Sequence, residues 1–113
     1  MSAGQIREII RSDKGTIVRL SGEIDLNQSP ELHEALVELC DESPPRIVVN
    51  LSDVQYMDSS GIGTLVEIFQ RMRREGAKLI IVEPSERVRS VLEITKLDQF
   101  LPMADSEEAG LAS

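Results

Sequence analysis

The chain has 113 residues, the size of one domain, and carries 20 acidic and 12 basic side chains for a formal net charge of −8. Its hydrophobic residues make up 41%, enough to build a core, which excludes a disordered chain. Aromatic residues make up only 3%, and the acidic balance repels phosphate backbones, so we expect no nucleic-acid partner.

The cysteine count and the lengths of the apolar runs indicate where in the cell the protein is expected. Cys40 has no second cysteine with which to form an internal disulfide. The longest apolar runs, 47–49 and 79–82, are far shorter than the roughly 20 residues of a membrane helix, and the first residues lack a signal-peptide layout. We therefore expect a cytoplasmic protein without membrane insertion.

The first half of the chain predicts a hairpin, a helix and a buried strand. Residues 6–11 and 16–20 form two strands around a turn that ends at Gly15. Ser29-Pro30 begins a helix, because serine caps the helix and proline costs nothing in its first turn, and Pro44-Pro45 ends it. The apolar run 46–51 is typical of a buried parallel strand.

The second half continues this alternation. An amphipathic helix runs from Ser59-Ser60 to about Gly76, followed by a buried strand over 78–82 and a helix over 85–94. Residues 99–101 predict a last short strand, and 105–112 a brief acidic helix.

The resulting order β-β-α-β-α-β-α-β-α predicts one α/β domain over residues 1–113. Right-handed crossovers would give a mixed, mostly parallel sheet, with helices packed mainly on one face. We expect the core to span about 5–103 and the short acidic C-terminal segment to span 104–113.

A polar cluster at 53–63 follows a buried strand and opens the amphipathic helix, where sites of α/β sheets usually lie. A hydroxyl at a helix N-terminus, with free amides and glycines, would suit a phosphate group. Spacing alone favours the simpler interpretation that Ser59 or Ser60 only caps the helix, because serine is strongly preferred there. Gly61-Ile62-Gly63 lacks the full nucleotide-binding patterns, so nucleotide binding or hydrolysis stays a weak alternative.

The sequence gives little indication of a catalytic site or a metal site. His33, the only histidine, is not an evident partner for a nucleophilic serine, so no catalytic residue is predicted. Asp25, Asp53 and Asp58 could be imagined as a metal site, but turns and helix starts favour aspartate for local hydrogen bonds. We expect no metal and no cofactor.

Two motifs carry a family resemblance. Residues 56–63, Tyr-Met-Asp-Ser-Ser-Gly-Ile-Gly, closely resemble the signature of STAS domains, specifically the bacterial anti-sigma factor antagonists. Residues 20–25, Leu-Ser-Gly-Glu-Ile-Asp, match a second element of that family, and the strand 47–52 fits the same pattern. The resemblance spans almost the whole chain, in order and without large insertions.

The resemblance implies a phosphorylation switch at Ser60, the hydroxyl residue before the glycine. In its unphosphorylated state such a protein binds an anti-sigma factor that is also a serine kinase, and thereby frees a sigma factor. The kinase transfers a phosphoryl group from ATP, and a serine phosphatase resets the switch. The resemblance also implies that Asp25 lies beside the modified serine, which Asp58 and Ser59 flank.

The physics of such a switch is electrostatic. We expect Met57, Ile62 and neighbours such as Gly61 to present a small apolar docking surface. A phosphate beside Asp58 would then repel the partner without unfolding the domain. Residues 20–45 contain seven acidic side chains and no Lys or Arg, which could complement a basic partner. The alternative function is a STAS regulatory subunit of a transporter or a stress-signalling assembly.

Overall fold

The structure, a computed structural model, describes residues 4–113. Within that range the predicted order of strands and helices is confirmed. The elements are β1 (Ile6–Ser12), β2 (Gly15–Ile24), α1 (Ser29–Asp41), β3 (Arg46–Met57), α2 (Ser59–Arg74), β4 (Lys78–Val82), α3 (Glu86–Ile94), a 3-10 turn (Leu97–Gln99), β5 (Met103–Ala104) and α4 (Glu107–Leu111).

The strands form one sheet in the order β1-β2-β3-β4-β5. The hairpin pair β1–β2 is antiparallel and the other pairs are parallel, which confirms the mixed, mostly parallel sheet. Strands β2 and β3 extend beyond the predicted ends at 20 and 51, and they pair as far as Ile24 and Met57. Residues 53–57 are therefore strand rather than loop, because pairing with β2 satisfies their backbone groups.

The prediction of a last strand at 99–101 is wrong. The chain makes the 3-10 turn there, and the strand follows at Met103–Ala104, beside Ile81 and Val82 of β4. The apolar residues of this segment, Phe100 and Leu101, pack against other side chains and do not pair with a strand. Phe100 meets Phe69 edge to face at 5.3 Å between ring centroids, and the next residue, Leu101, is buried.

Two apolar layers lie on the two faces of the sheet. The larger joins one face to α1, α2 and α3, which confirms that the helices pack mainly on one side. The smaller lies on the other face and consists of buried strand residues against which Leu111 of α4 packs: Ile17, Val48, Ile80 and Val82. Because successive strand residues point to opposite faces, one apolar strand such as β3 supplies both layers.

Helix α4 is attached to this second face by close packing and by an ion pair. A Cβ on Gly110 would lie only 3.0 Å from a Val48 methyl, so the helix backbone rests directly on the sheet. The Glu107 carboxylate accepts hydrogen bonds from Arg19 Nε (2.8 Å) and Nη2 (2.7 Å) and from Asn50 Nδ2 (2.8 Å). These contacts tie the acidic C-terminal segment to β2 and β3.

Acid should loosen this attachment. The hydrogen bonds from Arg19, and secondarily from Asn50, lower the pKa of Glu107 from its ordinary value of 4.5. Stability from such a group is fully present above the ordinary pKa and is lost as the pH falls through the lowered one. We therefore expect the free energy of unfolding of the wild type to fall more steeply in acid than that of Glu107→Gln, measured by urea denaturation across a pH series.

The matched control is Glu108→Gln, which removes the same charge from the exposed neighbouring position. Its pH dependence should follow that of the wild type. Equal acid sensitivity in the wild type and Glu107→Gln would contradict the role given to this ion pair.

Candidate functional site

Helix α2 begins directly at the end of β3, and its cap is Asp58. This residue has extended backbone angles, and its Oδ1 accepts hydrogen bonds from the backbone N–H groups of Ser60 (2.9 Å) and Gly61 (3.4 Å). The interpretation that Ser59 or Ser60 caps the helix is therefore wrong. Aspartate satisfies the free amides of the first turn, so capping does not explain either serine.

The hydroxyl of Ser60 is bound to the same carboxylate. Ser60 Oγ donates a hydrogen bond to Asp58 Oδ1 at 2.5 Å. This bond is the largest cause of a lowered pKa at Asp58, and the backbone amides of Ser60, Gly61 and Leu26 lower it further. Asp58 is therefore ionised at neutral pH, and it orients a half-buried hydroxyl at a helix N-terminus. Ser59, the preceding residue, is exposed.

Gly61 is required by close packing between α2 and the end of β2. A Cβ at this position would lie 2.7 Å from Met57 Cγ and 2.9 Å from Ile24 Cγ2. At Gly63, by contrast, a Cβ would meet nothing within 4 Å. The first glycine of the Gly-Ile-Gly sequence thus has a packing role that needs no nucleotide.

The loop between β2 and α1 lies beside the start of α2. The Asp58 N–H donates to the carbonyl of Ile24 at 3.2 Å, which brings the two segments together. Asp25 organises this loop: its Oδ1 accepts from the Asn27 N–H at 2.8 Å, and its carbonyl accepts from the Ser29 N–H at 2.9 Å. Asp25 is thus near the Ser60 site, with its carboxylate turned into its own loop.

The expected apolar docking surface is built differently from the prediction. Met57 and Ile62 are buried in the core, with 3% and 7% of their surface exposed, so the prediction that they present an apolar surface is wrong. Two exposed apolar side chains lie near this end of the molecule instead, Tyr56 at 45% exposed and Leu26 at 72% exposed. Sequence reasoning missed Leu26, although an apolar residue between two turn formers was a usable signal.

An open polar groove of about 950 Å³ lies next to this site. Its lining includes residues from the ends of β2 and β3 and from the start of α3, among them Glu23, Asp25, Asp53, Gln55, Tyr56 and Arg87. Asp58 and Ser60 are outside it. The three aspartates considered for a metal site have separate roles, because Asp53 pairs with Arg7 while Asp25 and Asp58 make local hydrogen bonds.

Two negative findings apply to residues 4–113. No cluster of three or more His, Cys, Asp or Glu side chains there is arranged to hold a metal ion. In the same range, no helix has the length and apolar character that a membrane crossing requires.

A five-stranded mixed sheet, three helices on one face and a hydroxyl–carboxylate pair at the start of α2 define the class of this protein. The chain belongs to the STAS domain family, which matches residues 6–110. It is 31% identical over 104 residues to the anti-sigma-B factor antagonist of Bacillus subtilis (strain 168), covering 92% of this chain and 94% of that protein.

Solved structures share the whole fold. An anti-sigma factor antagonist from Mycobacterium paratuberculosis is 27% identical, with a TM-score of 0.84 over 99% of this chain and 97% of that one. The Bacillus cell fate determinant SpoIIAA in its phosphorylated form is 22% identical, with a TM-score of 0.70 over 90% of this chain and 94% of that one. The second likeness concerns the fold alone.

Proposed function

We propose that this protein is an anti-sigma factor antagonist, a regulatory binding protein rather than an enzyme. In the unphosphorylated state it binds an anti-sigma factor serine kinase in the cytoplasm and frees a sigma factor. Phosphorylation of Ser60 ends this binding, and a serine phosphatase restores it. The support is the family and the relative so named, of which the match covers 94%.

The observation that carries the proposal is the hydrogen bond from Ser60 Oγ to the ionised Asp58 carboxylate. A carboxylate in this position holds the hydroxyl proton and directs a lone pair of Oγ outward, as nucleophilic attack on a phosphoryl group requires. The N-terminal end of α2 favours the added negative charge through its dipole and amides. The site can therefore receive a phosphate without loss of the helix.

The same charge would act against a partner. A phosphoserine adds nearly two negative charges beside Asp58, in a region that already holds Glu23 and Asp25. A protein surface that docks closely on the unmodified serine would meet extra bulk, and any acidic group on it would be repelled. Release without unfolding is the expected consequence.

The direct test is phosphoryl transfer. After incubation with ATP and the anti-sigma factor kinase from the same genome, we expect mass spectrometry to find one phosphoryl group on Ser60. Ser60→Ala should remain unmodified. Ser59→Ala is the matched control, because it removes the neighbouring exposed hydroxyl and should leave phosphorylation intact.

Phosphorylation of Ser59 alone, or none at either serine, would contradict the assignment. Co-purification with transporter or stress-assembly components, and with no anti-sigma kinase, would instead favour a STAS regulatory subunit of such an assembly.

A further inference from the structure

Leu26 stands out among the exposed apolar side chains by its place. It lies in the β2–α1 loop, next to the start of α2, and is 72% exposed. Exposure alone carries no weight, since single exposed leucines are common and Ile94, at the end of α3, is 82% exposed. Leu26 differs from Ile94 in its surroundings, which are the loop that carries it and the acidic residues near it.

The loop that holds Leu26 is internally bonded. Its neighbours Asp25 and Asn27 are joined by the 2.8 Å hydrogen bond between a side chain and an amide. The Asp25 carbonyl accepts from the N–H groups of Gln28 (3.1 Å) and Ser29 (2.9 Å), which leads directly into α1. The backbone of such a preorganised loop loses little conformational entropy when a partner buries its exposed side chain.

Leu26 is also linked to the Ser60 site. Its backbone amide contributes to the lowered pKa of Asp58, the carboxylate to which the Ser60 hydroxyl donates. The Asp58 N–H in turn bonds to Ile24, two residues before Leu26. The loop that carries the exposed leucine therefore follows directly on a residue that is hydrogen-bonded to Asp58, the residue that holds the Ser60 hydroxyl.

The charged residues near Leu26 along the chain are all acidic. Glu23, Asp25 and Glu31 lie near it in the chain, Asp58 contacts its loop, and residues 20–45 contain no Lys or Arg. An apolar side chain within an acidic rim fits a partner pocket of the opposite design, apolar at its centre and basic at its edge.

We propose that Leu26 is the apolar anchor of the partner interface and inserts into an apolar pocket of the anti-sigma factor kinase that has a basic rim. This inference rests on the proposed function and names the contact that gives the complex its affinity. A phosphate on Ser60 would add bulk where the kinase docks on the start of α2, and would thereby hinder the burial of the leucine.

The test compares Leu26→Ala with Ile94→Ala, two truncations of highly exposed aliphatic side chains. Binding to the purified anti-sigma factor kinase from the same genome is measured by calorimetry. Loss of a buried anchor should weaken binding about tenfold or more, whereas Ile94→Ala should change it by less than about twofold. Leu26→Met, which keeps an apolar side chain of similar volume, should recover most of the affinity.

The outcomes separate the two proposals. If the wild type does not bind any such kinase, the proposed function fails. If the wild type binds and Leu26→Ala binds equally well, the function stands and the anchor is overturned. Thermal unfolding of each variant shows whether a loss of affinity reflects a loss of fold.

The basic rim has its own test. Glu31→Gln removes one exposed acidic charge from the first turn of α1. It should lower the association rate and make the rate less sensitive to salt, because complementary charges act mainly on encounter. An association rate of the wild type that does not change with salt concentration would overturn the basic rim.

Discussion

Replacing Ser60 by aspartate should weaken binding to the anti-sigma factor kinase by about a hundredfold or more, since a longer, charged side chain would stand where the kinase docks on the unmodified serine, and taking an unpaired carboxylate out of water costs several kcal/mol. The new carboxylate replaces a hydroxyl that donates to Asp58 at 2.5 Å, so two negative groups would share the start of α2. The dipole of α2 favours an acidic residue at this position, so the domain should remain folded. Calorimetric titration and circular dichroism measure the two effects separately.

Two further variants at this position divide the effect into its causes. Ser60→Asn has the size of the aspartate without its charge, and we expect it to bind more tightly than Ser60→Asp. Ser60→Ala cannot be phosphorylated and should bind with an affinity close to that of the wild type. If Ser60→Asp bound as tightly as wild type, the charge switch would be wrong; if Ser60→Asn bound as weakly as Ser60→Asp, bulk would be the cause.

Gly61→Ala should destabilise the domain, whereas Gly63→Ala should stabilise it. Both changes add one methyl group to the amphipathic helix α2, and each gains about 0.5–1 kcal/mol of helix propensity. At position 61 the methyl would overlap Met57 and Ile24, while at position 63 it meets open space. Overpacking of this kind typically costs about 1–3 kcal/mol, which sets the expected difference between the two free energies of unfolding.

Urea denaturation of the two variants measures this difference, because the shared gain in propensity cancels between them. Equal stabilities would show that the end of β2 and the side chain of Met57 move aside at little cost. The role given to Gly61 in the packing of α2 against β2 would then be wrong.

Local patterns were sufficient for the order of elements. Ser29-Pro30 marked the start of α1, although the prediction that Ser29 caps the helix is wrong: Ser29 is the first helical residue, and the cap position is Gln28, without a side-chain hydrogen bond. The two apolar runs became the parallel strands β3 and β4. Such signals depend on neighbours in the chain, namely capping groups, proline and the period of apolar residues, so they are readable without the fold. The motif at 56–63 predicted the STAS family for the same reason, and the match over residues 6–110 confirms it.

The sequence-based predictions were wrong where the structure of a segment depends on contacts with a segment distant in the chain. The polar residues 53–57 are strand only because β2 continues alongside them. The interpretation that a serine caps α2 is wrong because β3 runs as far as Met57 and thereby places Asp58 at the cap. The segment 99–101 is a turn rather than a strand: Phe100 packs against Phe69 of α2, and β4 pairs with Met103–Ala104 instead.

The sequence by itself determined the class of the protein, its alternating architecture and the serine proposed as its switch. These follow from motifs and periodicities within short stretches of chain. Only the tertiary structure decided that Asp58 holds the hydroxyl of that serine, that Met57 and Ile62 are buried and that Leu26 is exposed. Burial and hydrogen bonding are properties of segments brought together from β2, β3 and α2, so no single stretch of sequence contains them.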